Sequence, residues 1–131
     1  MNKRIKLMAA ALCMLAITSF AQIKKAVWPQ MKTFHSFMAS TFHPAEDGNL
    51  APLKQKADSL EITAKLWQAS AIPANYKPAE TKEALQNLVA KTGAINKAVV
   101  AKESDDTLKK LIAEAHDIFH HIAGECKKAD E

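Results

Sequence analysis

An apolar repeat over residues 53–71 constrains the fold of this chain more than any other feature. Its members are Leu53, Ala57, Leu60, Ala64, Trp67 and Ala71, spaced alternately by four and three positions. Two apolar positions in every seven form one narrow stripe on an α-helix, and such a stripe is buried by packing against other helices at shallow angles. The repeat therefore predicts a helical bundle, with one helix from Leu53 to Ala71 that Pro73 stops.

Three other segments carry an apolar stripe at helical spacing. The first is predicted from Lys24 to Phe42, ended by Pro44 because a residue before proline avoids the helical region. The third begins at Pro78 and the fourth at Ser104, a favourable N-cap. The stripes are Val27, Met31, Phe34, Met38 and Phe42; then Leu85, Leu88, Thr92, Ile95 and Val99; then Leu108, Leu111, Ile112, Ala115, Phe119 and Ile122. Short loops between four such helices predict an all-α, antiparallel up-down-up-down four-helix bundle.

The N-terminus has the order of a secretory leader. Three basic residues precede an uncharged, mostly apolar run over residues 7–20, and small residues follow at Ser19 and Ala21. The run is shorter than the ~20 residues that a membrane-spanning helix needs. We therefore expect cleavage after Ala21, so that residues 1–21 are a signal peptide and residues 22–131 form one periplasmic bundle domain without a membrane anchor.

Loss of the leader changes the charge and the cysteine content. The chain has 18 basic and 14 acidic residues, and removing Lys3, Arg4 and Lys6 leaves 15 against 14. Because no basic patch remains, we expect neither nucleic acid nor an anionic membrane as a partner. Cys13 is also removed, which leaves Cys126 without an intramolecular disulfide partner and its redox role open.

The histidines are confined to the first and last predicted helices. They are His35, His43, His116, His120 and His121. His116 and His120 lie one turn apart on one helix face, with about 5–6 Å between their Cβ atoms. Two imidazoles in this arrangement suit Zn, Cu or Ni. Because the two helices are neighbours in the predicted bundle, His35 or Met38 would complete the shell. The alternative is that these histidines are ordinary solvated or half-buried residues.

Catalytic motifs are weak in this sequence. The segment from His116 to His120 reads H-D-x-x-H, close to the zincin H-E-x-x-H, in which the carboxylate is a general base. Asp117 is shorter than the glutamate of that motif, no clear third ligand follows, and no strand-built cleft is predicted. A di-iron bundle would need two Glu-x-x-His motifs, and the sequence has none. We therefore expect a non-enzymatic protein.

Four features together resemble the superfamily of cytochrome c-prime and the soluble periplasmic b-type cytochromes. They are the leader, Met31 inside the first helix, a second segment from Leu53 to Pro73 that ends in a proline-containing loop, and the late pair Phe119-His120. The resemblance covers residues 27–123. The Cys-x-x-Cys-His motif of covalent haem attachment is absent, which argues against a c-type haem.

The resemblance implies non-covalent haem b held by His120 together with Met31, or with His35 one turn further along. Three functions follow from the sequence. The first is a periplasmic bundle that binds a transition-metal ion, the second is a b-type electron-transfer cytochrome, and the third is a cofactor-free interaction or stress-response bundle. Bundles of this superfamily also dimerise, but no separate apolar stripe marks an interface, so a homodimer is left open.

Overall fold

The computed structural model describes residues 27–129, which form four helices with no strand among them. These are α1 (Pro29–Glu46), α2 (Ala51–Ala69), α3 (Pro78–Val100) and α4 (Asp105–Gly124). Each packs against the next, and α1 also packs against α4, which closes the bundle and confirms the predicted fold class. No helix of this described region is long and apolar enough to cross a membrane. The predicted signal peptide lies outside it.

The predicted stripes of α2, α3 and α4 form the core. Trp67 of α2 is fully buried and lies at its centre. Its ring centroid is 5.5 Å from that of Trp28, 5.4 Å from Phe34 and 6.0 Å from Phe119. Full burial of a large apolar side chain contributes about 1.5–3 kcal/mol, so this aromatic group strongly couples α1, α2 and α4. The predicted end of α2 at Ala71 is wrong by two residues, because Ala71 is exposed beyond the helix.

The start of α1 differs from the sequence prediction. Lys24 lies outside the described residues, and the helix begins at Pro29, whose missing N–H costs nothing in the first turn. Val27, predicted in the buried stripe, is 75% exposed. Trp28 is buried instead, and its indole N–H donates to Ser70 Oγ at 2.8 Å, which ties the start of α1 to the end of α2.

The end of α1 also corrects the prediction, because Pro44 lies inside the helix. Pro44 removes only one backbone hydrogen-bond donor from the helix. The helical turn that contains Pro44 also contains Ala45, which is fully buried. The helix ends at Glu46, and Gly48 follows two residues later with a left-handed φ of 85°. Gly48 N–H donates to Ala45 O at 3.0 Å and Asn49 N–H donates to Pro44 O at 2.8 Å, which is a Schellman motif. The additional turn carries Glu46 to the edge of the interface with α4.

Candidate metal centre

Two histidines form a pair on the face of α4 that borders α1. The Nε2 atoms of His116 and His120 are 3.0 Å apart, and their ring planes are inclined by 82°. His116 is half-buried and His120 is exposed. At this distance the Nε2–H of one ring can donate to the Nε2 of the other, and the tautomers of the two rings decide which is the donor. This confirms the predicted proximity of the two imidazoles.

The separation of the two nitrogens matches the geometry of a metal chelate. At a metal–nitrogen distance of about 2.0–2.1 Å, neighbouring ligands are about 2.9 Å apart at a right angle and about 3.3 Å apart at the tetrahedral angle. The observed 3.0 Å lies between these limits. Both nitrogens are therefore close enough together to bind one ion.

Two phenylalanines hold the imidazoles in place. The ring of Phe42 stacks on His116 with centroids 3.7 Å apart and planes inclined by 10°. Phe119 stacks on His35 at 5.0 Å and meets His120 edge-on at 5.5 Å. Both phenylalanines belong to the predicted core stripes, and their contact with the imidazoles was not predicted. The available signal was that each immediately precedes a histidine, at the border between the apolar stripe and the flank of its helix.

The last turn of α1 forms the edge of the site. His43 Nδ1 lies 3.4 Å from Glu46 Oε2, and both residues are exposed. Burial lowers the pKa of His116, and the neighbouring His120 lowers it further. The carboxylates of Asp117 and Glu46 act in the opposite direction. The net lowering favours the neutral imidazole, which is the form that binds a metal ion.

The other predicted metal ligands occupy different surroundings. His35 is exposed and stacked on Phe119, on the same helix interface as the pair. Met38 is fully buried in the core, whereas His120 is exposed. Within residues 27–129, no three side chains of His, Cys, Asp or Glu are grouped closely enough to hold a metal ion. The site therefore offers two nitrogen donors, and a third ligand on the same chain stays a prediction.

The haem ligands suggested by the resemblance each have another partner. Met31 Sδ accepts a hydrogen bond from Tyr76 Oη at 3.6 Å, and His120 pairs with His116. Cys126 is fully buried, and its burial raises the pKa of its thiol, so the thiolate needed for metal ligation is disfavoured. His121 faces away from the pair and forms an ion pair with Glu125 at 2.8 Å when protonated. His116 and His120 are the two imidazoles that the structure places side by side.

Comparison with known proteins adds no relative to this description. No protein-family model matches the chain, and no curated protein and no solved structure matches it either. The resemblance to the cytochromes therefore stays a prediction, and the candidate site is defined by its geometry.

Proposed function

We propose that this chain is an exported, non-enzymatic bundle that binds a transition-metal ion, Zn, Cu or Ni, through the Nε2 atoms of His116 and His120. The observation that carries the proposal is their separation of 3.0 Å on an accessible face of α4.

The surroundings of the pair support binding. Stacking on Phe42 orders His116 before a metal arrives, so ligation has to immobilise mainly His120. The lowered pKa of His116 reduces competition from protons. Ligation would also link two successive turns of α4, and therefore stabilise the folded chain.

On a single chain, an open pair of ligands suits exchange of the ion better than permanent storage. Structural zinc sites enclose the metal with four protein ligands, whereas this site borders solvent at the exposed His120. The proposed role is therefore to buffer or hand over a metal ion outside the cytoplasm.

The test is a competition titration between the purified, untagged protein and a chromogenic chelator for Zn²⁺, Cu²⁺ and Ni²⁺. We expect saturable binding that the double substitution H116A/H120A abolishes. The matched control is His121→Ala, which removes a histidine from the same helix but from the opposite flank and should leave binding unchanged. Equal metal uptake by the wild type and the double variant would refute the proposal.

A further inference from the structure

The histidine pair supplies only half of a tetrahedral shell. Zn²⁺ in proteins is mostly four-coordinate, and His116 and His120 are two ligands. Residues 27–129 contain no group of three ligands that could hold an ion. His43 is engaged with Glu46, and Met38 is enclosed in the core. The pair would therefore leave two coordination positions of a bound ion unfilled.

We infer that a second copy of this chain fills those positions, so that one ion is held by two His116–His120 pairs across a two-fold axis. This inference rests on the proposed function. A two-fold dimer uses the same surface on both copies, so each would contribute two imidazoles and the metal would reach four ligands. The geometry favours this arrangement because each pair already spans neighbouring corners of one coordination shell.

Small side chains beside the pair allow the close approach that a shared ion requires. Ala113 precedes His116 by three positions and therefore lies on the same face of α4. On α1, Ala39 lies between His35 and His43 at intervals of four residues, and it is half-buried. Alanine at these two positions leaves space beside the histidine pair on both helices.

Charge does not oppose the association of two copies. Residues 27–129 contain 13 lysines and 12 acidic residues, so the described domain is close to neutral. Charges of both signs lie at the border of the site, since Lys109 Nζ donates to the carbonyl oxygen of Glu46 at 3.1 Å and Asp117 is exposed nearby on α4.

Stable protein interfaces usually bury at least ~1,200 Å² and have an apolar centre. The large exposed apolar residues of the described region lie elsewhere: Val27, Ile62, Leu66 and Val100. The dimer should therefore depend on the metal.

Sedimentation velocity and native mass spectrometry of the untagged protein, during titration with Zn²⁺, test this inference. We expect the mass to double at one Zn²⁺ per two chains and to return to that of the monomer when a chelator is added. His120→Ala, at an exposed position where folding is not at risk, should stay monomeric. Ala39→Arg keeps both histidines but places a bulky cation beside its own symmetry mate, and it should bind Zn²⁺ without dimerising.

Three other results would each overturn the inference of a Zn²⁺-bridged dimer. One Zn²⁺ per monomer would overturn the inference and leave the proposed function standing. A Zn²⁺-linked dimer that persists in His120→Ala would place the shared ion elsewhere and overturn the inference as well. Absence of Zn²⁺ binding at every concentration would refute both the bridged dimer and the proposed zinc site.

Discussion

The ring of His116 on α4 lies face to face with the ring of Phe42 on α1, with centroids 3.7 Å apart and planes inclined by 10°. This contact joins two helices that are far apart in sequence, so Phe42 supports His116 only in the closed bundle. It also removes water from one face of the imidazole, in agreement with burial as the main cause of the lowered pKa of His116. Stability, protonation and ligation are therefore linked at this one residue.

Acidification should destabilise the fold through His116. Its folded-state pKa lies below the usual 6.5, so the unfolded chain takes up a proton more readily than the folded chain. The contribution of neutral His116 to the free energy of unfolding is present above pH 6.5, and it is lost as the pH falls through the folded-state pKa of His116. Urea unfolding in metal-free buffer between pH 7.5 and pH 5 should show this loss.

The control for this pH dependence is His116→Gln, which removes the titrating group. The lowered pKa values of Glu61 and Glu114 act in the same direction, but only below their usual 4.5. The loss that His116 causes should therefore appear at a higher pH than theirs. A variant whose stability falls between pH 7.5 and pH 5 as steeply as that of the wild type would contradict the assignment.

Phe42→Leu should weaken metal binding although residue 42 touches no ion. Without the aromatic platform the His116 ring is free to turn, and ordering one such side chain costs about 0.5–1.5 kcal/mol, or about two- to tenfold in affinity. The chelator competition assay measures this change. Phe34→Leu, in the same helix and fully buried, is the matched control for general core damage. Equal Zn²⁺ affinities in the two variants would contradict the role of the Phe42 ring in ordering His116.

Gly48→Ala should destabilise the bundle. Gly48 ends α1 with a φ of 85°, and an L-residue in this left-handed region costs about 1–2 kcal/mol. The midpoint of urea unfolding should fall while its slope stays constant. A variant as stable as the wild type would mean that the Schellman ending of α1 does not hold this geometry in solution.

Gly93→Ala should have the opposite effect. Gly93 lies inside α3, and a β-carbon there would meet Glu61 Oε1 at 3.4 Å, an ordinary van der Waals contact. Alanine is favoured over glycine within a helix by about 0.5–1 kcal/mol. Thermal unfolding should therefore shift to higher temperature. Destabilisation would indicate that Glu61, which bonds Asn96 and Lys65, cannot accept the added methyl group.

The four helices could be predicted because their signals are local. Stripe spacing identified the buried faces of α2, α3 and α4, and Ser104 caps α4 as expected, accepting from Thr107 N–H at 3.2 Å. The ends of α1 could not be predicted in the same way. Pro44 is normally a helix stop, but tertiary packing of Ala45 and the turn at Gly48 hold the helix through it. Trp28 is buried, and its hydrogen-bond partner Ser70 is 42 positions away in the sequence.

The candidate site was predictable only in part. The spacing of His116 and His120 fixes their shared face within a single helix, so their proximity follows from the sequence. The rotation of α1 against α4 depends on the packing of the whole core. The sequence therefore could not show that Phe42 supports His116, or that Met38 is fully buried.

Imidazole ¹⁵N NMR of the untagged protein, with and without Zn²⁺, tests the central claim most directly. If His116 and His120 bind the ion through Nε2, Zn²⁺ should shift the Nε2 resonances of both residues together and fix the proton of both rings on Nδ1. The spectrum of His121 should stay as it is without Zn²⁺. Zn²⁺ that leaves both Nε2 resonances unchanged, or that shifts His121 instead, would contradict it.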